Sequence, residues 1–280
     1  MTEPDAELLL ASRQAWAALE TLHVVGYFVP ETRDRYLALG LDDATAYVPS
    51  RAAAMGEAGV GLTVAAFYVF APRRVAAALP AAWGITSPAA LLRARRDGVT
   101  EALRRVLGSP EVGEALEIAR DACSALTAPG RPLYAAHADL PWPGDDLTAL
   151  WHAATLVREH RGDGHLSVLQ LAGLDPVEAT VVGGLWSGTT RFLRRTRGWT
   201  EAEHDAAAGR LRERGWLGDD GQLSEDGQER RRRLERETDR LAVEGWAHVG
   251  LERTARLRDL LDPLRRQVRE ADVLPRSLRG

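Results

Sequence analysis

Arg158, Glu159, His160, Arg161, Asp163 and His165 bring a base, an anion and cations together within eight positions. Imidazole titrates near neutral pH, so His160 or His165, oriented by Asp163, is a candidate general base. Arg158 and Arg161 are candidate contacts to an anionic part of a ligand. The spacing of His160 and His165 suits neither a zinc pair on a helix nor a zinc finger, and no metal is assigned. The same residues also have a structural reading. His160 and Arg161 suit a helix C-terminus, Gly162 and Gly164 allow the chain to reverse, and Asp163 can cap a following helix.

The element that must carry these groups runs from 147. Leu147, Leu150, Trp151, Ala154 and Val157 form one apolar stripe at helical spacing. The glycines predict that this helix stops in a charged turn at 161–164 and restarts at His165. Trp151 and His152 lie on it and can line a cavity, although a core histidine is the plainer role for His152. Aromatic residues elsewhere can complete such a pocket: His23 and Tyr27 at the end of the first helix, and Tyr68 in an apolar run. A cleft that is apolar with a few convergent polar groups is the default small-molecule site.

Length and composition bound the rest. A chain of 280 residues with 45% hydrophobic residues supports a real core and suits two units. The formal charge of -4 gives no general pull toward nucleic acid or anionic membrane. One cysteine, Cys123, excludes a disulfide framework and reads as a core residue. No run is long and apolar enough to span a membrane, and the N-terminus lacks the pattern of a signal peptide. A cytoplasmic location is expected. The sequence has no Lys and no Asn, so its arginine bias reflects codon choice rather than phosphate binding.

Helices are predicted over 5–28, 31–39, 62–70, 73–82, 89–107 and from Ser109 to about 126. The Pro- and Gly-rich stretch 127–146 reads as a linker. Thr200 and Glu203 make a capping box for a helix over 200–214. Trp216 to Leu223 reads as a short hairpin about Asp220-Gly221, and Ser224 opens a long charged helix. Helix, hairpin and long helix in this order form a winged-helix pattern. The expected fold is mainly α: two tandem winged-helix-like units with short β-hairpins, the second wing being the clearer, joined by a helical linker. The boundaries are 1–126 for a degenerate N-terminal unit, 127–146 for the linker and 147–280 for the C-terminal unit. A weak internal repeat supports this division: Gly40-Leu41-Asp42 matches Gly173-Leu174-Asp175, and Trp83 matches Trp216.

Winged helices usually bind DNA through the first turns of the recognition helix. Here those turns hold Glu201, Glu203 and Asp205, which would face phosphates. DNA is therefore a disfavoured partner. The charged helices allow a homodimer, although contact between the two halves would satisfy the same surfaces.

The runs LWHAATLVREHRGDGH, RGWTEAEHDAA, LRERGWL and DGQLSEDG, with YFVPE and FYVFAP earlier, are similar to an actinobacterial family of winged-helix-like proteins. The resemblance covers nearly the whole chain, and REHRGDGH is its most distinctive part. Val69 stands where the family's pattern has Asn. The resemblance implies a helix-turn-helix fold and a shared central site, with some members placed in natural-product pathways. It carries no activity. Two functions follow as expectations. One is a small-molecule-binding protein acting in secondary metabolism, with cofactor-independent acid-base chemistry on a largely apolar ligand. The other is a ligand-responsive, DNA-binding regulator.

Overall fold

Apolar residues at helical spacing dominate the chain, and the computed structural model, in which residues 5–275 are described, is accordingly mainly helical. Helix α1 (Ala6–Val24) is capped by Asp5 and runs into a single 3-10 turn, Val25–Tyr27. Short helices follow: α2 (Pro30–Ala38), α3 (Tyr47–Ala52), α4 (Val60–Phe67), α5 (Pro72–Ala76) and α6 (Ala81–Ile85). The single helix expected over 73–82 is instead the pair α5 and α6, because Pro80 cannot donate within a continuous helix. Helices α7 (Pro88–Leu107) and α8 (Gly113–Ser124) complete the first half.

The expected linker contains a helix, α9 (Pro132–Ala138), whose Leu133, Tyr134 and His137 are buried. The central helix α10 (Asp146–Leu171) corrects the reading of a break at 161–164: it continues through both glycines. After it come α11 (Pro176–Ser187), α12 (Thr190–Arg197), α13 (Glu201–Glu213), α14 (Glu225–Leu241) and α15 (Glu244–Glu270), the last kinked at Gly250. Thr200 and Glu203 form the expected capping box of α13. The expected hairpins are not formed. Among the described residues there is no strand, and the second wing is reduced to one antiparallel bridge between Leu217 and Leu223. Only one turn's length of chain separates these residues, too little to extend a ladder.

Three buried clusters organise the packing. The central one joins α1, α7, α8, α10 and α15 around Leu22, Leu103, Leu150 and Leu257. Cys123 lies in it, and burial pushes its thiol up to about 12, so it behaves as a small apolar residue. A second cluster gathers the short N-terminal helices around Phe67, Phe70 and Leu79. A third lies among the end of α10, α11, α13 and α14.

The two halves repeat a local detail. After α2, Gly40 has φ +89°, its N–H bonds to Leu37 O at 2.9 Å, and Leu41 N–H reaches Tyr36 O at 3.2 Å. After α10, Gly173 has φ +65°, bonding Gln170 O at 2.9 Å, and Leu174 N–H reaches Leu169 O at 3.1 Å. Each is a left-handed glycine closing a helix. Asp42 then caps with Thr45 N–H at 2.8 Å, and Asp175 with Glu178 N–H at 2.8 Å. No single helix among the described residues is long and apolar enough to cross a membrane.

Candidate functional site

The polar run on α10 is spread over three neighbours. Asp163 Oδ2 accepts from the backbone N–H groups of Leu133 at 3.0 Å and Tyr134 at 2.9 Å. It thereby caps α9, not the helix it belongs to. Burial, outweighing these two bonds, raises its pKa to about 6. His160 donates through Nε2 to Glu244 on α15, and burial keeps its imidazole below the ordinary pKa. Arg161 reaches Glu235 and Asp239 on α14, each at 2.9 Å, and lies over the Trp16 ring. His165 donates through Nδ1 to Thr238 Oγ1 at 2.8 Å, since that hydroxyl itself donates to Leu234 O.

His160, Asp163 and His165 are thus on one helix but do not face one another. Asp163 orients neither histidine, and the space beside His160 and Arg161 is about 10 Å³, room for one water at most. The arrangement ties α9, α14 and α15 to α10. Tyr68 is also distant from a shared pocket: its hydroxyl donates to Leu174 O at 2.6 Å. Val69 presents its backbone carbonyl, which accepts from Trp199 Nε1 at 2.9 Å, rather than a side-chain polar contact.

Three of the other residues singled out from the sequence, His23, Tyr27 and Trp151, do meet. Where α1 crosses α10, Thr155 Oγ1 donates to Trp151 O, leaving it to accept from His23 Nδ1 at 3.0 Å. His23 Nε2 then accepts from the Tyr27 hydroxyl at 2.9 Å. Tyr27 oxygen accepts in turn from Arg95 Nη2 at 3.3 Å. The His23 ring is parallel to Trp151 with centroids 6.0 Å apart, and Trp151 Nε1 donates to His23 O. Burial, reinforced by Arg158 and Arg95, holds His23 well below its usual pKa, so it is a neutral acceptor. Burial also raises Tyr27, overcoming the nearby arginines, so it keeps its proton.

This layer of rings separates two cavities. The first, about 280 Å³, has Tyr27, Phe28, Tyr47, Phe70 and Phe192 as aromatic walls. Its polar lining is Glu20, Arg74, Arg158, Thr196 and Arg197. Arg158 pairs with Glu20, whereas Arg197 has no carboxylate partner among the described residues and lies 4.5 Å over the Phe70 ring. Burial opposes ionisation of Tyr47, but Arg51, Arg197 and Arg158 outweigh it and lower its pKa. The second cavity, about 270 Å³, lies on the Arg95 side and is lined by Trp151, His152 and His137. No group of three or more His, Cys, Asp or Glu among the described residues is arranged to hold a metal.

Tyr47, Phe192 and Arg197 were missed in the sequence, because no spacing joins α3 to α12. Arg95 left a readable signal: it falls on the buried stripe of α7 between Leu91 and Val99. An arginine at such a position needs a buried partner or a function.

Helix α13 is the element read in the sequence as a recognition helix, and α12 precedes it. The turn between them is docked on the first half: Ala71 N–H donates to Arg197 O at 2.9 Å, and Arg73 pairs with Glu203. On α13, Arg210 is held by Asp175 and Glu178, while Glu201, Ala202, Asp205 and Ala206 are exposed. A profile described as a helix-turn-helix family matches residues 12–275. No curated protein and no solved structure matches the chain.

Proposed function

The chain belongs to this helix-turn-helix family, and from that premise we propose that it binds a small molecule in the Tyr27 cavity, on a winged-helix scaffold that has lost DNA binding. The observation that carries the reading is the cavity itself. Aromatic walls surround a few fixed polar groups, the usual composition of a small-molecule site. The chain of hydrogen bonds from Arg95 through Tyr27 to His23 supports cofactor-independent acid-base chemistry there. In that chain Tyr27 gives the hydrogen bond and neutral His23 accepts it, in place of the His160, Asp163 and His165 set. A largely apolar ligand of secondary metabolism fits the aromatic lining.

Two tandem winged-helix-like units are the reading of the scaffold that the repeated hydrogen bonds at Gly40 and Gly173 support. Loss of DNA binding rests on α13. Its exposed carboxylates would meet phosphates, and its N-terminal turn is engaged by Arg73.

The test is a thermal-shift screen of a metabolite library against the wild type and two variants, Tyr27→Phe and Phe192→Trp. A ligand whose stabilisation disappears in both supports the reading. A ligand unaffected by either sends the site elsewhere. The competing reading, a ligand-responsive regulator, is favoured by one feature: Phe192, Thr196 and Arg197 of α12, just before the expected recognition helix, line the same cavity. Salt-sensitive binding to duplex DNA that changes with the ligand would establish it and overturn the loss of DNA binding.

A further inference from the structure

The second cavity carries a charge that the fold leaves without an opposite. Arg95 is 3% exposed and has no carboxylate among the described residues within ion-pair distance. Its Nη2 gives one of its two hydrogens to the Tyr27 oxygen. Its Nη1 is 3.5 Å from His137 Nε2, which is an acceptor because His137 Nδ1–H donates to Leu133 O at 2.8 Å. Its Nε has no partner. The guanidinium also lies 5.2 Å from the Trp151 ring centre and 5.5 Å from that of Tyr27. Ring faces and neutral acceptors offset only part of the penalty of burying a cation.

The surroundings add to this. His152, 5% exposed, lines the same cavity, and its Nε2 also lacks a partner. Arg93 and Arg96, the latter paired with Asp97 at 2.9 Å, stand on the exposed rim, and among the described residues no carboxylate lines the space. Apart from His137 and Thr155 the remaining wall is apolar, with Leu92, Leu140, Pro141 and Trp151. Unpaired buried donors at the base, cations at the rim and apolar sides describe one kind of guest.

We propose that this cavity binds a small organic acid, its carboxylate on Arg95 and His152 and its apolar body along Leu92, Leu140 and Trp151. A planar guanidinium matches a carboxylate through two parallel hydrogen bonds. At about 270 Å³ the space suits a medium-chain or aryl-substituted alkanoate. The cavity lies across the Tyr27 layer from the first one; Arg95 touches both through Tyr27, so the two sites are told apart by variants at Leu92 and Phe192, each of which lines one cavity alone.

Thermal unfolding of the full chain is followed with octanoate and 3-phenylpropionate, with their primary amides, and with inorganic phosphate, all at millimolar concentration. The acids raise the unfolding temperature by a few degrees, on the order expected for a ligand well above its dissociation constant. The amides lack the charge and phosphate lacks the apolar body, so neither does. Leu92→Trp fills the cavity from its rim and abolishes the acid response. Arg95→Lys, which replaces the fork by a point charge, weakens it. Phe192→Trp, in the other cavity, leaves it intact. Equal shifts from acids and amides, a response that survives Leu92→Trp, or no shift from either acid overturns the proposal.

Discussion

Individual side chains here are set by what they bond, and two of them make sharp predictions. Tyr27 is held between the Arg95 donor and the His23 acceptor. Tyr27→Phe leaves His23 Nε2 without its donor in a buried place. Denaturant titration should show a loss of about 1–2 kcal/mol, and no loss would remove Tyr27 from the network. Asp163 satisfies two N–H groups at the start of α9. Asp163→Ala should destabilise by about 2 kcal/mol, as losing a helix cap does. Asp163→Asn keeps an acceptor and should remain near the wild type. Because burial raises the folded pKa to about 6 from 3.8, the native state holds this proton more tightly. The group's contribution to stability therefore falls as pH rises from 4 to 6. That slope should be absent in the Asn variant.

At the scale of elements, α10 holds two glycines inside a helix, and only one of them is required by packing. A Cβ on Gly164 would lie 2.6 Å from Arg131 Nη1 and 3.4 Å from Leu241 Cβ. Arg131 cannot retreat freely, since its guanidinium donates to the carbonyls of His160 and Leu241. A Cβ on Gly162 would meet only the Glu159 carboxylate, at 3.9 Å. Gly162→Ala should therefore stabilise by about 0.5–1 kcal/mol through helix propensity. Gly164→Ala should destabilise despite the same propensity gain. Urea midpoints decide it, and equal stabilisation by both variants would refute the close-approach account. The start of α13 shows the same logic: Trp199 and Glu203 are engaged by Val69 and Arg73 of the N-terminal half.

For the molecule as a whole, the histidines set the response to acid. Burial pushes His137, His152 and His165 down to about 4, and lowers His23, His160 and His204 as well. An unfolded chain would protonate these near 6.5, taking up protons that the folded chain does not. Their stabilisation is thus complete above pH 6.5 and lost as pH falls toward 4. Asp163 and Glu20, both raised by burial, oppose this in the same window, but they are two groups against six. The denaturation midpoint measured against pH should fall steadily over this range. A flat profile would mean that these rings are hydrated in the native state.

The sequence alone determined what is local. Helical periodicity, the Thr200–Glu203 capping box and the glycines closing α2 and α10 depend on residues a few positions apart, and could be read directly. It also singled out His23, Tyr27, Trp151 and His152, because aromatic and imidazole groups in apolar runs must be buried together or beside a cavity. Only the tertiary structure decided what depends on distant partners. The glycines of 161–164 read as a turn because the helical role of Gly164 comes from Arg131, thirty-three residues away in sequence. His160, Asp163 and His165 read as one site because they are adjacent in sequence, yet a helix turns them toward α15, α9 and α14. The two cavities are made where α1, α3, α7, α9, α10 and α12 meet, and no spacing within one segment encodes such a meeting.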